Sequence, residues 1–348
     1  MGLQADVYQD MLISTLKHLG RFKWTDLTTS RHNFIALPKI LNNSKAVTRT
    51  GIGVQFQVKV GTVGTARNVY IGHTTNYRTA DTMKSASVPW RHMNTSYMFY
   101  RKTMAMNKDP ELIFDMVKSE RHGAFMDRAE VHEQNFWTKP ADSTDDIKPF
   151  GLPYWVVFNS TLGQTGGNAS GFTAGPGGLD SDAYPRWKNW SGPFSAVTKP
   201  DFIRTIKYLL TKTKYKPPIA PQPDYSTGAS RGIYAGYDRV LAPLGELLEA
   251  QNDNLSRTDL DGLYMEDSQV MIRRYPIEWC DYLDDDTNDP VYGVDWAQYQ
   301  PIFLSGENAR EDGPKEVSGQ IGVFAVDIDD SMNYICENRR TQFVMQKV

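Results

Sequence analysis

Residues 88–106 run for 19 positions without one acidic side chain, and they carry Trp90, Thr95, Tyr97, Phe99, Tyr100 and Thr103. Aromatic and β-branched residues favour extended backbone, and a strand of that length spans roughly 60 Å. A two-stranded ribbon that long encloses too little core to stand alone and leaves its edges unpaired. The stretch therefore needs a partner surface. Upstream, residues 51–72 (VQFQVKV, then VGTARNVYIG) are rich in Val, Ile, Phe and Tyr with glycines between, which predicts strands joined by turns. Downstream, Asp109 is a good N-cap and Pro110 suits a first helical position, where its missing N–H costs nothing. Ile113, Met116, Val117, Ala124, Phe125 and Val131 give a partial apolar stripe. The helix expected over residues 110–137 is about 42 Å long, with Gly123 weakening its middle.

Charge is unevenly distributed. Residues 1–108 hold 15 Lys plus Arg against 4 Asp plus Glu, and the remaining 240 hold 23 against 37. A front segment at plus 11 and a longer back segment at minus 14 suit contact between one copy's front and another's back. Lys17, Arg21, Lys23, Arg31, Lys39, Lys45 and Arg49 could also meet phosphate without reading sequence. No zinc-finger spacing, basic zipper or RNA-binding aromatic motif is present.

At 348 residues and 40% hydrophobic content, two domains are the expectation. Val7, Met11, Leu12, Leu16 and Leu19 follow helical spacing near the start. A polar, Pro-bounded stretch at residues 139–148 marks a domain boundary, GLPYWVVF (151–158) reads as a short buried strand, and residues 160–178 as a surface loop. Thr198 with Asp201 makes a capping-box-like start for a helix whose stripe is Phe202, Ile203, Ile206, Leu209 and Leu210. A second helix is expected over 237–252, limited or kinked in its first turn by Pro243. Strands expected at 269–274, 291–296, 321–327 and near 334–345 complete an α+β fold. No run of 18 apolar residues and no signal-peptide pattern is present, so neither membrane nor secretion is expected. Cys280 and Cys336 are too few for a disulfide framework or a cysteine zinc site.

Catalytic and metal motifs are sparse. The acidic group Asp281, Asp284, Asp285, Asp286 and Asp289 lacks the glycine an EF-hand loop requires, so a solvated turn is the expectation. The six histidines form no His-Glu-x-x-His pair, and His122 and His132 fall about 80 degrees apart on the expected helix. No nucleophile elbow, kinase-type glycine loop or Gly-Lys-Ser/Thr phosphate loop occurs. No catalytic, cofactor or metal residue is assigned. A carboxylate-dependent glycan-active enzyme is one alternative, since its pair needs proximity in space only; a conspicuous aromatic and acidic cleft would mark it.

Three stretches carry a resemblance. From residue 261 the chain reads DGLYMEDSQVMIRRYPIEWCDYLDDDTNDPVYGVDWAQYQPIF and later VDIDDSMNYICENRRTQFVMQK, in outline a strand ending at Tyr275 and Pro276, an acidic turn, and a last strand holding Asn338, Arg339 and Arg340. Residues 88–137 are similar to a second E-loop strand, with early Trp90 and closing Asn107, running into a spine helix. Residues 177–190, GGLDSDAYPRWKNW, resemble the Gly-Gly-hydrophobic-Asp, Tyr, Trp stretch before an axial domain. In this order they resemble the major capsid proteins of tailed double-stranded DNA bacteriophages, the Hong Kong 97-type coat fold.

That resemblance implies an N-terminal arm (1–50), an extended E-loop hairpin (51–107), a peripheral domain with a long spine helix (108–148), and an axial domain with strands returning to the peripheral domain (149–348). It implies a non-enzymatic head protein that self-assembles as pentamers and hexamers into an icosahedral shell around double-stranded DNA, bound without sequence specificity. Scaffolding protein, portal and a decoration protein are the implied partners, and the virion, assembled in the host cytoplasm, the implied location. Arg67, Arg78, Lys84, Trp90 and Arg91 are the expected inter-subunit residues, and Lys17, Arg21, Lys23 and Arg31 the expected arm residues facing DNA or a neighbour. An encapsulin-like nanocompartment is the alternative within the same fold.

Overall fold

A computed structural model describes residues 33–41, 47–74, 79–102, 110–214, 230–251, 263–266, 269–273 and 275–348. In chain order its elements are α1 (Ala36–Leu41), β1 (Val47–Arg49), β2 (Gly53–Lys59), β3 (Met83–Pro89), β4 (Arg91–Tyr100), α2 (Pro110–Trp137) and α3 (Leu152–Trp155). There follow β5 (Gly163–Gly166), β6 (Asn189–Phe194), α4 (Arg204–Lys212), β7 (Arg231–Ala235), α5 (Ala242–Gln251), β8 (Leu263–Glu266), β9 (Gln269–Ile272) and β10 (Tyr275–Trp279). The last are α6 (Asp281–Asp284), β11 (Val291–Asp295), β12 (Tyr299–Leu304), β13 (Arg310–Glu316), β14 (Val323–Cys336) and β15 (Phe343–Lys347).

The described residues fall into two compact units, one of residues 33–93, 132–308 and 330–348, the other of residues 94–131 and 309–329. The first is built on a mixed sheet in the order β5-β6-β15-β11-β7-β10-β9-β8. Its central strands alternate between two cores. Ile233, Ala235, Val291, Phe343 and Met345 join Phe202, Ile206, Leu209 and Leu244 of the α4 and α5 layer. Tyr234, Tyr292, Val294 and Val344 join a second core containing Phe136, Trp137, Trp155, Trp296, Tyr299 and Tyr334. There Phe136 sits 5.4–5.6 Å from the rings of Trp296, Tyr299 and Tyr334, the aromatic spacing that adds to plain area burial. The second unit has a separate small core of Tyr97, Ala124, Val326 and Ile328, with β13 antiparallel to β14 from Arg310↔Asp329 to Glu316↔Phe324.

Helix α2 starts and ends where Pro110 and the stripe predict. Several other elements differ from expectation. The ribbon over 88–106 is divided at Trp90: β3 pairs with β2, while β4 leaves the hairpin and pairs with β14. GLPYWVVF forms the short buried helix α3, because Pro153 presets a helical φ at its start. Thr198 makes no side-chain cap; Asp201 instead reaches back, its Oδ2 accepting the N–H of Ser195 (2.7 Å) and Ala196 (3.0 Å), and a π-turn at Lys199–Ile203 precedes α4. A second π-turn, Tyr237–Leu241, ends just before Pro243. Tyr275 and Pro276 begin β10 rather than end a strand, the strands expected at 321–327 and 334–345 are the long β14 and the short β15, and Arg339–Thr341 is a single 3₁₀ turn between them. The amphipathic stretch at Val7–Leu19 lies outside the described residues.

Candidate subunit-contact surface

β2 and β3 pair over seven residues, from Gly53↔Pro89 to Lys59↔Met83, and Val60 N–H bonds Thr82 C=O at 2.9 Å. Period-two alternation gives the hairpin an inner and an outer face. Val54, Ala86 and Val88 are buried at its root, and Phe56 approaches Trp155 at 6.4 Å, while Gln55, Gln57 and Lys59 point outward. The root rests on Gly177. This residue has φ +69, and a Cβ there would lie 3.1 Å from Ala86 Cβ and 3.4 Å from the Trp155 ring, so Gly177 is explained by close approach to β3, whereas Gly178 meets open space and is favoured by its φ of +77 alone. Beyond the paired strands, Val69, Tyr70 and Ile71 are 58%, 75% and 103% exposed. Three consecutive exposed apolar side chains in the segment that joins β2 to β3 form a surface that gains by being covered.

Of the expected contact residues, Arg67 is exposed in this segment, and Lys84 stays on the hairpin, donating to Asp81. That pair holds the Asp81 carboxyl below, and the Lys84 amine above, their usual ranges, through hydrogen bonding and charge. Trp90 and Arg91 are internal. Trp90 Nε1 donates to Gly51 C=O at 2.7 Å. Arg91 Nε donates to Lys148 C=O (3.2 Å), Nη2 to Asp145 C=O (3.1 Å), and Nη1 lies 3.1 Å from Asp146, with the guanidinium over the Phe150 ring. Both therefore hold the hairpin root to its own subunit. Arg78, Lys17, Arg21, Lys23 and Arg31 lie outside the described residues. Sequence reasoning missed Val69, Tyr70 and Ile71, because an apolar run reads as buried strand unless its partners are known.

Glu133, fully buried near the end of α2, was also missed. Its Oε1 accepts the N–H of Ile35 (3.1 Å), Ala36 (3.0 Å) and Trp137 Nε1 (2.8 Å), and its Oε2 accepts Leu37 N–H (2.7 Å). The carboxylate caps α1, satisfying N–H groups that a helix start leaves orphaned. Asn33 and Lys39 flank the cap, donating to Trp279 C=O (2.6 Å) and the Tyr234 hydroxyl (2.6 Å). Glu133→Gln turns one acceptor into a donor facing the Leu37 N–H. We expect a loss of about 1–3 kcal/mol in urea unfolding; an unchanged midpoint would show that the cap contributes nothing.

The Gly177–Trp190 stretch and the C-terminal Arg339 converge on one point. Arg339 is 0% exposed. Its Nε donates to Trp155 C=O (2.6 Å), Nη1 to Ser181 Oγ (2.9 Å) and Trp187 C=O (2.9 Å), and Nη2 to Gly167 C=O (2.8 Å) and Asn189 Oδ1 (3.1 Å). All five donors of the guanidinium are used, and every acceptor is neutral.

Chemistry finds little footing among the described residues. No group of three His, Cys, Asp or Glu could hold a metal ion, and no helix is long and apolar enough to cross a membrane. The acidic turn is less solvated than expected: Asp284 accepts the Tyr237 N–H and Trp279 Nε1, and buried Asp289 pairs with Arg239 at 3.2 Å. His132 Nε2 lies 3.2 Å from Asp330 Oδ2, both buried. Burial raises both thiols, that of Cys336 to about 12. A groove of about 830 Å³ is lined by Trp279, Tyr237, Glu246 and Glu278 with apolar Phe34, Leu241 and Ile277. Neither of its carboxylates is buried, so it lacks the enclosed acid that glycoside cleavage uses.

Neither a family model nor a curated protein matches the chain. Solved structures do. The capsid asymmetric unit of cyanophage A-1(L) is similar at 13% identity and TM-score 0.62, covering 97% of this chain and 99% of that one. The capsid of the native GTA particle is similar at 10% identity and TM-score 0.55 (96% and 98% covered), and that of Myoviridae phage XM1 at 9% and 0.54 (100% and 99%). At such identities only backbone architecture is shared, and it is shared from end to end: this chain has the fold of the tailed-phage major capsid proteins.

Proposed function

We propose that the chain is a major capsid protein whose copies close, as pentamers and hexamers, into an icosahedral phage head around double-stranded DNA. The observation that carries this reading is the reach of the likeness, 97% of this chain and 99% of the cyanophage capsid chain. In this reading the β2–β3 hairpin is the E-loop, α2 the spine helix, residues 1–50 the N-terminal arm, and the eight-stranded sheet with α4 and α5 the axial domain. The protein acts without catalysis, in the virion, after assembly in the host cytoplasm with scaffolding protein and portal; a decoration protein would bind the finished surface.

The hairpin supplies the physical reason to assemble. Its described charges are Lys59, Arg67, Asp81 and Lys84, a basic set around the apolar run Val69, Tyr70 and Ile71. Strands β13 and β14 offer a candidate complementary face, where Asp312, Asp327 and Asp329 share one side of the paired strands beside Lys315. Apolar burial of that run gives affinity and the charges give register. Expressed with its scaffold, the chain should sediment as closed particles that electron microscopy resolves into pentamers and hexamers. A stable monomer or dimer under all assembly conditions overturns the proposal, and shells that enclose protein cargo without nucleic acid would favour the nanocompartment.

A further inference from the structure

The outer face of α4 runs against the charge of its surroundings. Residues 109–348 carry a net minus 14, yet residues 199–214 hold Lys199, Arg204, Lys207, Lys212 and Lys214 against Asp201 alone. The helix is amphipathic: Ile206, Leu209 and Leu210 are buried against the sheet, and Arg204, Tyr208, Thr211 and Lys212 are exposed. Asp201 does not neutralise that face, because its carboxylate is turned back onto the N–H groups of Ser195 and Ala196.

A further cation is brought in from the sheet. Arg273, in the β9–β10 turn, lays its guanidinium on α4, Nη1 donating to Lys207 C=O and Thr211 Oγ1. Its φ is +50, a left-handed conformation that non-glycine residues adopt rarely and at a cost. Lys212 lies 5.7 Å over the Tyr208 ring and Lys214 5.3 Å over that of Tyr275, which holds both stems along the surface.

We propose that this face binds the phosphate backbone of duplex DNA. The centre of a protein–protein interface is depleted of lysine and built on an apolar core, whereas this face is lysine-rich and Tyr208 is its one large exposed apolar side chain. Surfaces for duplex DNA are more polar and far more positive. With no base-reading motif in the chain, the contact is sequence-independent and works by counterion release. The proposal rests on the shell reading above, which gives the surface a polyanion to meet.

The test is the salt dependence of binding between the unassembled full-length subunit and a random-sequence 30-base-pair DNA duplex, read by fluorescence anisotropy. The variant Arg204→Gln, Lys212→Gln, Lys214→Gln keeps good helix formers at each position, and circular dichroism checks its fold. Lys59→Gln, Arg67→Gln, Lys84→Gln removes equal charge from the hairpin as the control. Each lost phosphate contact lowers the log–log salt slope by about 0.9, so the α4 variant should lose about 2.7 from its slope. Its fall in affinity between 50 and 200 mM salt should then be about 40-fold smaller than the parent's. The control should keep the parent slope.

A parent that does not bind at 50 mM salt, an α4 variant with the parent slope, or equal losses in both variants would each overturn the assignment. Particle yield with scaffold is measured in parallel. Normal shells with an unchanged slope sink the DNA surface and leave the shell reading standing, whereas a parent that forms no shell sinks the latter alone. Shells lost with the slope unchanged would identify the face as a contact between copies and refute the proposal.

Discussion

Replacing Arg339 with Leu is expected to cost the isolated subunit about 3–5 kcal/mol, the scale at which removing one member of a buried charged network acts. Burial pushes the guanidinium down to about 10, so it is charged at neutral pH, and its charge is balanced by five neutral oxygens rather than by a carboxylate. Leu would leave the carbonyls of Trp155, Gly167 and Trp187 and the Asn189 amide oxygen buried with one donor fewer each. These groups belong to α3, the loop after β5, the turn before β6, and β6 itself, so the loss would loosen the support under Gly177 and with it the hairpin root. Arg339→Lys restores the charge but offers three donors from one point in place of a planar fork, and should recover less than half of the loss. Urea unfolding followed by tryptophan fluorescence measures both variants, since Trp155 and Trp187 surround the site. A change under about 1 kcal/mol for the Leu variant would mean that water or rearranged backbone replaces the fork.

What could be read in the sequence was what local chemistry dictates. Helix α2 was legible because Pro110 and the stripe from Ile113 to Val131 act within a few turns, and the α4 stripe because Ile206, Leu209 and Leu210 share one face. β11 was placed to within one residue of its end. Strand β7 was not found, and β15 was expected only as part of one strand near 334–345. Their sheet is covered on both faces, so RGIYA and FVMQK show no alternation of apolar and polar residues. The break at Trp90 was also invisible, because β3 and β4 have similar compositions and differ only in which strand each meets.

The candidate contact residues divide for the same reason. Arg67 and Arg91 look alike in a basic, acid-poor stretch, yet one is exposed between β2 and β3 and the other is clamped by the carbonyls of Asp145 and Lys148. Those partners lie more than 50 positions away in the chain, and nothing near Arg91 announces them. Arg339 is the extreme case: its acceptors lie 150 or more positions upstream and are mostly backbone, which leaves no trace in side-chain pattern.

Changing Lys59, Arg67 and Lys84 together to Glu is expected to cut the yield of closed particles at least tenfold while leaving the subunit's own unfolding midpoint nearly unchanged. The three side chains are solvent-facing or half-buried, and surface substitutions of this kind usually act within about 0.5 kcal/mol on a fold. Between copies the arithmetic differs. In the proposed clasp, reversal sets like charges against Asp312, Asp327 and Asp329 of a neighbour, and like-charge juxtaposition costs on the order of several kcal/mol at an interface. The penalty recurs at every hairpin around a closed shell, so a contact that is weak singly becomes decisive collectively. Because exposed charges are screened over about 10 Å at 0.1 M salt, raising the salt should partly rescue the variant. Arg91→Glu is the contrasting control: it breaks three contacts inside the subunit and should lower the midpoint itself, before assembly is attempted. Sedimentation of assembly reactions beside circular dichroism melting of the subunits separates the two effects, and normal shells from a normally folded triple variant would refute the hairpin as the charged clasp.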